Sequence, residues 1–357
     1  MDGLTSGWLD RAIAEGGTGN AEVVRDLEAA LAGLTGATYA LCVSSGTTAL
    51  MSALWAVGVR PGDLVAVSVL GPAMTGLAVT AMGARPRFLD CGSPMSFGVS
   101  ADGAAGAVRD GVKAALLVPM WGYWDETPDT LTVFRESGVP VIVDAAQAPF
   151  LRLSQGLFTV ADVVCLSLHG RKPIKAGEGG ACLTARANLA EQIVAVRNFG
   201  QKAAFTGTRV DPVGPFASRP GTNFKINALG AAWCLGQLAD ITALRTRLDG
   251  LRQLATDAFT QTGACWSETT QSPDVIEHGR YGLVAICPTP AEATTLAGSL
   301  TQAGAEVDTS RYRYAPMTAT PRFAQFTVPC PNAARLAPTA VACRLEAFAR
   351  TTAGVTP

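Results

Sequence analysis

Short, continuous apolar runs alternate with stretches of helical periodicity through the first half of the chain. Tyr39–Val43, Leu64–Val69, Arg87–Leu89, Ala114–Val118, Val139–Val143, Val163–Ser167 and Ala181–Leu183 read as strands, several of them β-branched. Between them Thr48–Val57, Ala73–Met82 and Pro128–Ser137 have a helical pattern. A preceding helix from Ala21 to Leu34 places Leu27, Ala30, Leu31 and Leu34 on one face, with Asn20 as its cap and Gly36 just past its end. Strands that are apolar throughout, rather than alternately, belong to a sheet covered on both faces. The prediction is therefore an α/β fold with a mainly parallel central sheet.

Past Asn188 the pattern changes. Helical stretches at Leu189–Asn198 and Ile226–Leu248 flank a Gly/Pro-rich loop containing Arg219-Pro220-Gly221-Thr222-Asn223. A strand at Gly282–Cys287, a helix at Ala291–Ala303 and a terminal helix at Ala334–Arg350 suggest a smaller α+β unit. A division into residues 1–240 and 241–357 is expected, with the small unit packed on the large one. A chain of 357 residues has room for both.

Composition narrows the class. Hydrophobic residues make up 48% and charged residues 16%, which fits a compact enzyme-sized core and not a disordered chain. Lys and Arg number 28 against 29 Asp and Glu, without a basic cluster, so nucleic acid is not an expected partner. The opening residues MDGLTSGWLD show no basic and apolar leader pattern, and no apolar run suits a membrane span. A cytoplasmic location is expected. Nine cysteines occur singly, and Cys42, Cys165, Cys182, Cys234 and Cys287 lie in apolar runs, the pattern of reduced core thiols. With only two histidines, His169 and His278, a histidine-built metal site is not expected.

Four features carry possible chemistry. Ser45-Gly46-Thr47 joins a strand to a helix, where free N–H groups and the helix dipole favour an anion, though an ordinary capped helix has the same pattern. Asp144 follows the buried run Val141-Ile142-Val143. A carboxylate there needs a cationic partner or serves as a helix cap, and a protonated ring nitrogen of a cofactor is one such partner. Lys172 follows a buried strand and precedes the glycine-rich Gly177–Gly180. Desolvation there lowers its pKa and suits its amine to carbonyl attack and Schiff-base formation, although a loop lysine at the surface would read alike. Ser167 and His169 sit two residues apart on the same strand end, and Asn223 lies ahead of a long helix. A phosphate cradle, a carboxylate for a pyridinium nitrogen and a reactive amine are together what pyridoxal phosphate requires.

On these residues the chain resembles the DegT-type sugar aminotransferases, fold-type I pyridoxal-phosphate enzymes that include aminocyclitol- and aminohydroxybenzoate-forming members. The resemblance runs from about Gly16 to Leu248. It rests on SSGTTAL (44–50), GARPRFLD (83–90), VIVDAAQA (141–148), SLHGRKPIKAGEGG (167–180), VRNFG (196–200) and GTNFKINALGAAW (221–233). It implies that Lys172, and not Lys175, is the Schiff-base lysine, and that Asp144 pairs with the pyridine nitrogen. Gln147 would lie near the ring, and His169 and Ser45 would complete the cofactor site. Gly46, Thr47 and Ser167 would bind the phosphate. Asn223 would reach the phosphate of a neighbouring subunit, making the active unit a homodimer with shared sites. The implied reaction moves an amino group from Glu or Gln to a keto-sugar, keto-cyclitol or related small carbonyl compound, with a place in secondary metabolism.

Three positions depart from the family's pattern. Where an aromatic residue usually stacks on the cofactor ring, this chain has Leu70-Gly71-Pro72-Ala73-Met74, leaving Trp121 and Tyr123 as candidates for that role. Phe199 replaces a polar residue, and the C-terminal pattern reads Tyr314-Ala315-Pro316-Met317. All three changes make the site less polar, which suits a small or less hydroxylated carbonyl substrate. Two other classes remain open. An enzyme of the same fold working by elimination, substitution or condensation would keep Lys172 and Asp144, whereas a non-catalytic homologue would be expected to lose one of them or the phosphate loop.

Overall fold

The computed structural model describes residues 3–307 and 316–352. Two helices, α1 (Gly3–Ala14) and α2 (Glu22–Thr35), lead into an alternating series: β1 (Tyr39–Val43), α3 (Gly46–Ala56), β2 (Leu64–Ser68), α4 (Ala73–Ala81), β3 (Arg85–Leu89), α5 (Ala101–Arg109), β4 (Ala114–Leu117), α6 (Pro128–Glu136) and β5 (Val141–Asp144). The short β6 (Arg152–Leu153), then β7 (Val163–Ser167) and β8 (Gly180–Thr184), complete this half. Seven strands form one sheet in the order β1-β8-β7-β5-β4-β2-β3. From β7 to β3 every neighbouring pair is parallel, while β8 runs antiparallel to both β7 and β1.

The continuous apolar runs follow from this geometry. Successive side chains of a strand point to opposite faces, and here both faces are covered. Leu41, Val43, Val65, Val67, Leu116, Ile142 and Cys165 enter one core cluster. Their immediate neighbours Cys42, Ala66, Ala115, Leu117, Val143, Val164 and Leu166 enter the other. All nine cysteines are free thiols, and the five in apolar runs are buried.

Downstream lie α7 (Ala187–Arg197), the hairpin β9 (Lys202–Thr206) and β10 (Arg209–Val213), α8 (Ala228–Leu238) and α9 (Ile241–Gln261). Then come β11 (Ser267–Glu268), β12 (Val275–Glu277), β13 (Gly282–Ile286), α10 (Pro290–Gln302), α11 (Pro331–Leu336), β14 (Ala340–Arg344) and α12 (Leu345–Thr352). Strands β11, β13 and β14 form an antiparallel sheet, and β12 pairs with β6.

Several expectations need correction. The terminal helix expected over 334–350 is interrupted: Ala340–Arg344 is a fully buried strand paired with β13, because tertiary burial overrides the helix propensity of its alanines. The helix expected over 226–248 breaks at Asp240, whose Oδ1 accepts from the Ala243 N–H and starts α9. Asn20 does not cap α2; Ala21 holds that position, and Asn20 Oδ1 accepts from Asn198 Nδ2. Gly36 does close α2, in the left-handed conformation that glycine permits.

Candidate active site

The N-terminus of α3 and the carboxyl ends of β5 and β7 converge on a cavity of about 250 Å³. Ser45, Gly46, Thr47, Asp144, Gln147, Ser167, His169 and Lys172 all line it. Asn223 does not. It is exposed, bridged to Asn198 by backbone pairing, and lies outside the cavity of its own chain.

The anion cradle is built by close approach. Ser45 Oγ accepts from the Thr48 N–H at 3.1 Å and Thr48 Oγ1 accepts from the Ser45 N–H at 2.9 Å, a reciprocal capping box. The capped-helix reading of this segment is thus met, and it is compatible with the anion-site expectation, because the first-turn N–H groups of Gly46 and Thr47 have no acceptor within the helix. Only glycine fits at two of the contacts. A Cβ on Gly46 would come within 2.8 Å of Ser167 Cβ, and one on Gly180 within 2.4 Å of the Ser45 carbonyl oxygen. These glycines let β7 and β8 press Ser167 against the start of α3.

Asp144 closes β5 and is buried. Its Oδ2 accepts from Thr75 Oγ1 at 2.7 Å and its Oδ1 from the Ala146 N–H at 3.2 Å. Burial raises its pKa; those two hydrogen bonds and the Lys172 charge pull it back down. Gln147 is buried, and its Oε1 accepts from the Trp121 N–H, which Trp121 presents from a left-handed backbone conformation.

Lys172 sits in a loop that closes on itself. Leu168 N–H donates to Gly179 O at 2.8 Å, Gly170 N–H to Gly177 O at 2.7 Å, Ala176 N–H to Leu168 O at 2.7 Å, and Lys172 N–H to His169 O at 2.8 Å. As a residue Lys172 retains some exposure, but protein atoms crowd its amine. Desolvation lowers its pKa to about 8; Asp144 opposes the shift, and Arg344 and Arg171 add to it. The Lys172 Nζ lies 4.9 Å from the centre of the Tyr281 ring. Lys175, by contrast, has its Nζ on Glu346 Oε1 at 2.8 Å and lies outside the cavity.

Two contributors were not foreseen. Thr75 is fully buried on the largely apolar α4, and a polar side chain on the buried face of that helix was the available signal. Tyr281 arrives from ahead of β13, too far along the chain for any spacing rule to connect it with Lys172. The expected aromatic substitutes are corrected. Trp121 and Tyr123 are buried outside the cavity, and Tyr123 hydrogen-bonds Glu268. Pro72, Met74 and Tyr281 provide the apolar wall instead. Phe199 also lies outside the cavity, stacked edge-on against Phe216 at 5.6 Å. Tyr314 and Ala315 are outside the described residues; Met317 is buried, its N–H donating to Val69 O at 2.9 Å.

A larger groove of about 830 Å³ runs between α2, residues 151–159 and α9. Its two cations, Arg152 and Arg245, both face Glu277, and none of the candidate site residues borders it. The smaller cavity is therefore the candidate active site. Pyridoxal phosphate fits the donor set there: free helical N–H groups and a serine for its phosphate, a buried carboxylate for its ring nitrogen, and a partly desolvated amine for its carbonyl carbon.

A family model described as the DegT/DnrJ/EryC1/StrS aminotransferase family matches residues 9–348. Protein MosB of Rhizobium meliloti is 36% identical over 179 residues, covering 50% of this chain and 35% of MosB. A UDP-N-acetyl-3-dehydro-alpha-D-glucosamine 3-aminotransferase of Acidithiobacillus ferrooxidans is 34% identical over 178 residues, covering 49% of this chain and 48% of the enzyme. The matched regions thus span half or less of these relatives' lengths. Among solved structures, 3-amino-5-hydroxybenzoic acid synthase superposes with a TM-score of 0.80 at 22% identity, covering 99% of this chain and 97% of that one.

Proposed function

Because the chain belongs to the DegT/DnrJ/EryC1/StrS aminotransferase family, whose members depend on pyridoxal phosphate, we propose that it transfers an amino group from an amino-acid donor to a keto-sugar or related small carbonyl compound. The observation that carries this reading is a partly desolvated lysine and a buried carboxylate facing one cavity beside a free helix N-terminus.

When bound, pyridoxal phosphate supplies an electron sink and a carrier for nitrogen. The N–H groups of Gly46 and Thr47, with Ser45 and Ser167, hold its phosphate, and Asp144 holds a proton on its ring nitrogen. Thr75 and the Ala146 N–H keep that carboxylate oriented. Gln147 and His169 border the ring. The Lys172 amine, with its pKa lowered to about 8, is unprotonated in a useful fraction near neutral pH; it would take the proton from the donor's α-carbon in the first half-reaction and deliver a proton to the carbon of the acceptor that gains the amine in the second.

Glu and Gln are the proposed donors. Pro72, Met74, Leu50 and Tyr281 line the cavity with apolar surface, which supports an acceptor bearing few hydroxyl groups. The active unit is proposed to be a homodimer. Asn223, outside its own cavity, would reach the phosphate in a partner's, and the exposed Phe199, Phe216, Leu229 and Trp233 supply apolar surface for the contact. The test is incubation of the loaded protein with Glu and Gln while 2-oxo-acid release is measured. Absence of 2-oxo acid from every amino acid in a full donor screen, with Lys172 still carrying the cofactor, would remove transamination from consideration.

A further inference from the structure

The loop bearing Lys172 is gripped at two points by the C-terminal elements. At one, Lys175 Nζ and Arg247 Nη2 both reach Glu346 Oε1, at 2.8 and 2.7 Å. At the other, Arg171 Nη2 donates to Glu306 Oε1 at 3.0 Å and Arg344 Nη2 donates to Glu306 Oε2 at 2.9 Å. Arg171 is the immediate neighbour of Lys172. Arg344 ends β14 opposite Gly282, and the next N–H, that of Leu345, donates to the Tyr281 carbonyl at 3.0 Å. The Tyr281 ring faces the Lys172 amine. One carboxylate therefore joins a cation on the lysine's own loop to a cation on the strand that sets the aromatic wall.

The charged groups acting on the Lys172 amine are Asp144 from β5, Arg171 from its own loop and Arg344 from β14. Tyr281 offers its ring, while His169 and Glu178, 3.6 Å apart, border the same cavity.

We propose that Glu306 is a positioning residue for Lys172: by holding Arg171 with one oxygen and Arg344 with the other, it seats the C-terminal elements against the lysine loop and neutralises the two guanidinium groups that act on the amine. This deepens the family reading of Lys172 and rests on it. The energetics separate this role from a merely stabilising one. The Glu306 side chain is 43% exposed, so its ion pairs contribute little to unfolding free energy. The Arg344 side chain is 7% exposed, so removal of the Glu306 carboxylate that faces it leaves a positive field directed into a poorly screened site. The consequence falls on the titration of Lys172.

The experiment uses the full chain freed of cofactor, with competitive acylation of Lys172 followed by mass spectrometry across pH. The wild-type midpoint reports the amine's pKa directly and does not depend on which reaction the enzyme catalyses. Glu306→Gln is expected to lower that midpoint by about half a pH unit or more. Glu306→Asp is expected to restore most of the shift, with all three proteins melting within a few degrees of one another. An unchanged midpoint in E306Q overturns the proposal. So does an equal shift in E306D accompanied by a large drop in melting temperature, because that pattern reports a structural defect. Failure of borohydride to fix pyridoxal phosphate on wild-type Lys172 would instead overturn the cofactor reading, which the acylation midpoint does not test.

Discussion

Burial acts on Lys172 and Asp144 in opposite directions: it favours the neutral amine of one and the neutral carboxyl of the other. The molecule uses the first effect and resists the second, through Thr75, the Ala146 N–H and the lysine charge itself. Lys172→Ala should abolish borohydride fixation of pyridoxal phosphate and lower the transamination rate by at least about a thousandfold. A variant still fixed at the wild-type level would remove Lys172 from the mechanism. Thr75→Val keeps the shape of the buried side chain but deletes the hydrogen bond to Asp144. It should weaken cofactor binding by about tenfold, read by equilibrium fluorescence titration. Unchanged affinity would show that Ala146 alone orients the carboxylate. The lysine also sets a pH dependence. Between its lowered folded value near 8 and its ordinary value near 10.4, the unfolded chain binds more protons than the folded one. This group's contribution to stability therefore rises with pH across that window and is least favourable below it.

At the scale of elements, the site depends on how closely β7, β8 and α3 approach. Gly46→Ala would place a methyl group 2.8 Å from Ser167 Cβ. Relief of that contact must move α3 away from the strand ends, so cofactor affinity should fall by tenfold or more. Affinity within twofold of wild type would show that the cradle tolerates the wider spacing. A second dependence lies in the segment between β12 and β13. His278 packs edge-on against Tyr123 at 4.6 Å, and desolvation, reinforced by Arg252 and Arg280, lowers its pKa to about 3. From its ordinary value near 6.5 down to that level, the unfolded chain takes up a proton the folded chain refuses. Stability therefore falls as pH falls through this window, by up to a few kcal/mol. His278→Gln should flatten that part of the stability profile in denaturant titrations. An unaltered slope would place the acid sensitivity elsewhere.

The same elements show what could be read from residues alone. Strands β1, β2, β4, β5 and β7 were legible because burial on both faces forces an unbroken apolar run. Lys172 and Asp144 were legible because a charge at the end of such a run demands a reason. Helix α5, with the sequence ADGAAGAVR, is short and buries only the small side chains Ala104 and Ala107, and the β9–β10 hairpin carries Pro212 and is mostly exposed. Neither announces itself. Strand β14 was hidden behind its alanines, and Thr75 meets Asp144, and Tyr281 the Lys172 amine, only through packing across long sequence separations.

For the whole molecule, the position of Asn223 makes the proposed homodimer testable. It borders no part of its own chain's cavity, so the role the family resemblance implies for it is proposed to be filled in trans. A mixing experiment separates this arrangement from independent sites. Lys172→Ala lacks the amine but keeps Asn223; Asn223→Ala lacks the phosphate contact but keeps Lys172. In a two-fold dimer with shared sites, the mixed dimer contains one site with both residues intact and one with neither. Random reassociation of equal amounts makes about half the dimers mixed, so activity should return to about a quarter of wild type. Were each site complete within one chain, every site in every dimer would still lack one residue, and mixing would restore nothing. Asn223→Ala retaining full activity and cofactor affinity on its own would dismiss the contact in trans. Sedimentation of the same samples checks the stoichiometry, and Trp233→Glu, which charges an exposed aromatic beside the cofactor loop, should shift it toward monomer.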